Sequence, residues 1–232
     1  MKIVYILILP VIIICTLIST LWTHPIKTSP VDNIKTYNDI VEYLADYSVK
    51  ATKYESEENL NDFIDKQLKT LRGETILSHS EVNVFVVEVK NEFRYYTDML
   101  SQNVNVTKVI KGDKSILNKD IDILSYLFFS NNEESISFKG TFSRNIMIPG
   151  KKYAVFCEKA ETSDYYSIPK YRTIMTTFSC LALDKDTIGT VDNLNDHYSD
   201  CVENEFFVQD NQTQNIYNEI KHKILKEYQI ES

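Results

Sequence analysis

The groups in this 232-residue chain that could do chemistry are four cysteines, four histidines and 33 acidic side chains. Cys15 lies in an uncharged apolar run, which leaves Cys157, Cys180 and Cys201. No Cys-x-x-Cys pair and no neighbouring histidine is present to lower a thiol pKa, so thiol catalysis has no support. Cys157 and Cys180 fall in candidate strands and share faces with apolar residues. They read first as small buried hydrophobes. In an oxidising compartment one disulfide is the second reading, with Cys157–Cys180 ahead of Cys180–Cys201 and one thiol left over.

His24, His79, His197 and His222 are scattered, and no His-Glu-x-x-His or Cys/His cluster gives them zinc-ligand spacing. His197 stands in DHYSDC, which reads as a polar surface loop. Residues 184–196, DKDTIGTVDNLND, match a calcium loop in part: Asp184, Asp186, Gly189 and Asp192 fill the first, third, sixth and ninth places. Ile188 stands where an oxygen ligand belongs and Asn195 where a bidentate Glu belongs, so a polar hairpin turn is the better reading. There is no Gly-x-Ser-x-Gly, Walker loop or dinucleotide fingerprint. The sequence therefore offers no catalytic, cofactor-binding or metal residues, and no cofactor is expected.

Charge excludes another class. The formal net charge is −8, and removing the first 22 residues with their one lysine makes the remainder more acidic still. Such a surface repels phosphate backbones, so nucleic acid is not an expected partner. Residues 3–22, IVYILILPVIIICTLISTLW, run 20 residues without a charge. A helix of that length spans roughly 30 Å, about one hydrocarbon core. Trp22 suits the far interface. A cleaved signal peptide competes with this anchor, but residues 21–24 offer no small-x-small site. Ile14 before Cys15 argues against lipid modification. The chain is thus expected to be a single-pass protein of the cell membrane. Its expected partner is the lipid bilayer, through residues 3–22, with its bulk outside the cytoplasm.

These elements must hold whatever the chain does. Residues 23–33 contain two prolines and read as a tether. Ile34, Tyr37, Ile40, Val41, Leu44 and Tyr47 recur at helical spacing, as do Leu60, Phe63, Ile64, Leu68 and Leu71, with Ser56 as a cap and Gly73 as a stop. Both stripes are too short for a coiled coil and are expected to pack on the main domain. Period-two patterns follow. Residues 81–89, EVNVFVVEV, put Val82, Val84 and Val86 on one face and Phe85, Val87 and Val89 on the other, as in a central strand. Residues 103–111, 135–142, 151–158 and 172–183 read as further strands, with shorter ones at 187–191 and 205–208. Residues 115–129 fit either a helix or a hairpin. Ile216, Ile220, Ile224 and Tyr228 make a C-terminal helical stripe, flanked by Tyr217 and Leu225.

Strands that follow one another without regular helical crossovers predict an α+β fold: an antiparallel OB-like β-barrel with N-terminal helices, a C-terminal helix and an N-terminal transmembrane helix. The divisions are an anchor at 1–22, a tether at 23–33, a helical segment at 34–73, a barrel-like domain at 79–209 and a C-terminal helix at 210–232. In VTKVIKGD, residues 106–113, Gly112 breaks the strand because it tolerates positive φ. Together with IPGKKYAVFCE, residues 148–158, this stretch resembles a pattern in bacterial extracytoplasmic proteins. It is similar to the OB-fold barrel of the tissue-inhibitor-of-metalloproteinases and netrin-like superfamily, over about residues 79–185. Against that pattern, SILNKDIDILSYLFF reads as an insertion. The amino-terminal cysteine that animal inhibitors use is absent, so the resemblance implies a fold and no inhibitory activity.

With anchor, sheet and empty catalytic inventory together, the expected function is a non-enzymatic binding module with a protein or glycan partner at the cell surface. A structural or stress-related envelope protein is the alternative. A hydrolase with a dispersed site is the third reading.

Overall fold

The computed structural model describes residues 34–49, 51–54, 60–74, 81–96, 99–126, 128–132, 135–139, 144–160, 168–184, 189–191 and 196–231. The expected anchor at 3–22 and tether at 23–33 lie outside these residues. No helix among the described residues is long and apolar enough to cross a membrane.

Two helices come first. Helix α1, Tyr37–Leu44, is fixed by a capping box: Asp39 N–H donates to Thr36 Oγ1 and Thr36 N–H donates to Asp39 Oδ2. Helix α2, Leu60–Arg72, buries Ile64, Leu68 and Leu71. Both stripes pack onto the domain, as their lengths suggested.

Among the described residues ten strands follow in chain order: β1 Asn83–Tyr96, β2 Met99–Lys111, β3 Asp120–Tyr126, β4 Phe128–Asn132, β5 Ser135–Lys139, β6 Lys152–Lys159, β7 Lys170–Thr173, β8 Cys180–Ala182, β9 Gly189–Thr190 and β10 Phe207–Val208. The main sheet runs β1-β2-β3-β7-β6-β8, and β1 also pairs with β6. That last pairing closes five strands into a barrel, with β8 as an added edge on β6. The order is consistent with an OB-like barrel. It is mixed rather than antiparallel throughout: β3 and β7 run parallel, joined through Asp122↔Lys170, Ile123↔Tyr171 and Leu124↔Arg172. Consecutive strands with short turns concealed this, because β7 reaches β3 only after the chain has passed through β6.

Two segments need the structure to settle them. Of the helix and the hairpin open for residues 115–129, the structure takes strand pairing, with β3 antiparallel to β2. After a short 3-10 turn, Lys114–Ile116, they supply the third barrel strand β3, with Ile121 and Ile123 in the barrel interior. Residues 172–183 are not one strand. They break after Thr173 into a 3-10 turn, Thr177–Ser179, capped by Thr176, before β8 begins. Among the described residues, strand β5 pairs only with β4, outside the barrel.

Side chains on β1 alternate between two cores, as period two requires. Phe85, Val87 and Val89 fill the barrel interior with Val104, Val106, Tyr153, Val155 and Tyr171. Val82, Val84 and Val86 face outward into a second core. There they meet Ala154 and Phe156 of β6, Ile64, Leu68 and Leu71 of α2, and the C-terminal helix. A single turn, Tyr198–Cys201, is α3. The C-terminal helix, α4 Asn211–Glu227, is capped by Asp210, whose Oδ1 accepts from Thr213 N–H at 2.7 Å. Ile220 and Ile224 are wholly buried, each worth roughly 1.5–3 kcal/mol on transfer from water.

One member of that buried face is charged. Lys221 Nζ lies 2.7 Å from Glu205 Oε2, with both side chains about 2% exposed. Glu205 Oε1 in turn accepts from the Ala182 N–H of β8 at 2.7 Å. The pair thus ties α4 to the outer edge of the sheet. Breaking such a buried pair by replacing one partner costs about 3–5 kcal/mol, while removing both can be near neutral. Lys221→Met is therefore expected to lower the unfolding free energy measured by urea titration by that amount. The double variant with Glu205→Gln should recover most of the loss, because the amide oxygen still accepts from Ala182.

Candidate functional site

Strand β2 ends at Lys111, and Gly112 follows with φ of +102°. A Cβ on Gly112 would stand 2.0 Å from Asn83 Oδ1. That oxygen accepts from Asp113 N–H at 3.1 Å, while Asn83 Nδ2 donates to the Glu81 carbonyl. The glycine therefore permits both the turn and the close approach of the first residue of β1. Asp113 Oδ1 then accepts from Ser115 N–H at 2.8 Å and caps the 3-10 turn.

This turn forms one wall of an open cleft of about 450 Å³ at the end of the barrel, lined by Glu81, Asn83, Gly112, Asp113, Lys159 and Tyr171. Three pairings assemble it. β1 lies beside β2 and β6, which brings Asn83 opposite Cys157; β6 lies beside β7, which brings Lys159 opposite Tyr171. Tyr171 packs edge-on against Phe85, with ring centroids 5.2 Å apart, and is buried.

Electrostatics fix the state of these groups. Hydrogen bonds from the Ser115 hydroxyl and N–H hold the Asp113 carboxyl below its usual range, with Lys159 and Lys119 adding to the effect. Burial, helped by the Asp113 charge, pushes the Tyr171 phenol up to about 12. At neutral pH the carboxylate is ionised and the phenol is protonated. Neither titrates where a general base or acid would need to.

Cys157, Cys180 and Cys201 are free and buried. Because Val155, not Cys157, stands opposite Cys180 across β6 and β8, the favoured pair is a diagonal one. Diagonal neighbours sit about 7–8 Å apart, beyond the usual reach of a disulfide. Burial raises all three thiols, Cys201 to about 12. At Cys180 the nearby Arg144 guanidinium, which donates to Ser179 Oγ, works the other way without reversing the shift.

His24 and His79 lie outside the described residues. His197 and His222 are exposed. His197 Nδ1 lies 3.0 Å from the Asp46 carbonyl oxygen, and His197 is the extended N-cap of α3, with Tyr198 and Cys201 buried behind it. In the calcium-like stretch, Asp184 accepts from Lys152 N–H and Gly189 lies in β9, while residues 185–188 and 192–195 are outside the described residues. Among the described residues no group of three His, Cys, Asp or Glu could hold a metal ion.

Sequence reasoning singled out Gly112 and its neighbours but not Glu81, Lys159 or Tyr171, which only strand pairing brings together. It also passed over Lys221. Its position, four after Tyr217 and four before Leu225, was the signal, since both of those residues are buried.

Two predictions follow from this geometry. Gly112→Ala should cost at least about 1–3 kcal/mol in denaturant unfolding, because the residue is strained and its Cβ displaces Asn83. The second concerns alkali. The folded state keeps the buried thiols neutral, whereas the unfolded chain ionises them near 9.0. Stability is then complete below that pH and falls as pH rises toward the folded-state values. The slope is up to about 1.4 kcal/mol per pH unit per group. Unfolding midpoints measured between pH 8 and 11 should decline, and a Cys157→Ser, Cys180→Ser variant should decline less steeply.

No protein-family model matches the chain, and no curated protein matches it significantly.

Proposed function

We propose that the protein is a membrane-tethered, extracytoplasmic binding module without catalytic activity, which offers the Lys-Gly-Asp end of its barrel to a protein or glycan at the cell surface. The observation that carries this reading is the state of the cleft. The Asp113 carboxylate is held ionised, the Tyr171 phenol is held protonated, and the backbone is set by Gly112 and Asn83. Such a wall holds a ligand by fixed charges and fixed hydrogen-bonding groups. Neither the Asp113 carboxylate nor the Tyr171 phenol is poised to move a proton near neutral pH.

The membrane part of the reading is supported by the uncharged run at 3–22. Kinship with the tissue-inhibitor-of-metalloproteinases and netrin-like barrels belongs to the same reading. Its support is the pair of stretches at 106–113 and 148–158. The first supplies the end of β2 and the Gly112 turn, and the second leads into β6; both strands flank β1.

A photo-reactive amino acid at Leu117, which is 45% exposed four residues after Asp113, tests the proposal in intact cells. It should yield a discrete adduct that the same probe at Lys223, on α4, does not. Equal labelling at both positions, or no adduct at Leu117, contradicts a partner at this end of the barrel. Resistance of the chain to alkaline extraction from membranes, lost when residues 3–22 are deleted, tests the anchor.

A further inference from the structure

Leu117 and Met175 are the large apolar side chains left exposed among the described residues, and of the two only Met175 carries a sulfur. It is 49% exposed. Its backbone lies in the break between β7 and the 3-10 turn and is pinned on both sides. Ile174 N–H donates to the Phe156 carbonyl at 3.0 Å, and Thr176 N–H donates to the Ile174 carbonyl at 2.8 Å. Ile174 is buried in the second core, and the Thr176 hydroxyl donates to Gln67 Oε1 of α2 at 2.6 Å. The thioether thus stands on a fixed stretch of chain at the surface, where an oxygen added to its sulfur has water to face.

The other sulfur atoms among the described residues are shielded. Met147 is 2% exposed and belongs to the barrel interior, where the Gln102 amide holds both its N–H and its carbonyl. Met99 is half-buried. Cys157, Cys180 and Cys201 are buried, and burial keeps their thiols in the neutral form, which reacts slowly. For Met147 and the thiols, the state open to an oxidant is a locally or globally unfolded one. For Met175 it is the native state.

We infer that Met175 is a reversible oxidation site, which hydrogen peroxide converts to the sulfoxide in the folded protein while Met147 and the cysteines are spared. The Sδ lone pair attacks one peroxide oxygen. An S–O bond forms and the O–O bond breaks. The sulfur loses two electrons, the peroxide gains them, and the second oxygen leaves as water with both protons. A thiol-dependent reductase reverses the step: the sulfoxide oxygen leaves as water and two thiols close to a disulfide. The exposure that admits peroxide also admits the reductase.

Treatment of the full chain with hydrogen peroxide in peroxide-free neutral detergent, followed by peptide mass mapping, tests this. Met175 should gain one oxygen at least about tenfold faster than Met147. Cys157, Cys180 and Cys201 should still react with a maleimide after denaturation. Methionine sulfoxide reductases with dithiothreitol should restore the original mass of the Met175 peptide. In urea above the unfolding midpoint, the difference between Met175 and Met147 should vanish, because both are then open to the oxidant. Oxidation of Met147 or of any of these thiols in the native protein as fast as that of Met175 would overturn the inference. So would a difference between the two methionines that persists in urea, or a native sulfoxide that the reductases leave in place.

Discussion

Pairing of β1 with β6 is the constraint on which the rest depends. It turns an open sheet into a closed barrel, and six residues of each strand take part, from Asn83↔Cys157 to Glu88↔Lys152. A strand with partners on both sides must be apolar on both faces if both faces are covered. β1 meets that demand: the Phe85 face fills the barrel and the Val84 face meets the helices. One strand therefore belongs to two cores. A substitution on either face is felt by the barrel and by the helical layer together, since the backbone between them is shared.

The cleft follows from the same closure. Glu81 and Asn83 reach Lys159 only because β1 and β6 are neighbours, and Tyr171 joins them only because β7 continues the sheet beyond β6. Closure also explains the outer edge. β8 extends β6 without closing on anything, and a free edge of this kind would invite pairing with another chain. Here the Glu205 carboxylate occupies the Ala182 amide, and Lys221 balances its charge from α4. The helix that covers the second core also neutralises the group that blocks the edge.

The parts of the fold that were legible in the sequence are those where one periodicity runs without interruption. Residues 81–89 and the Ile216, Ile220, Ile224 stripe are of this kind. Where a turn is built from ordinary residues, the pattern misled. The break in 172–183 sits among threonines that favour strands but here cap a 3-10 turn through the Thr176 side chain. In 115–129, a single turn and a strand each contribute apolar residues, and their sum has no clear period. The parallel β3–β7 contact had no local signal at all, because it joins segments some fifty residues apart through backbone bonds. The site was half legible for the same reason. Gly112 announces a turn by its chemistry, whereas Lys159 and Tyr171 are ordinary strand residues until pairing places them.

Cross-strand nuclear Overhauser contacts between β1 and β6 test barrel closure most directly. The full chain in detergent micelles, selectively labelled, should show contacts linking Val84 with Phe156 and Val86 with Ala154, which follow from the antiparallel register. Contacts from β1 to β2 alone, with β6 silent, would leave the sheet open and remove the cleft, the shared strand and the account built on them.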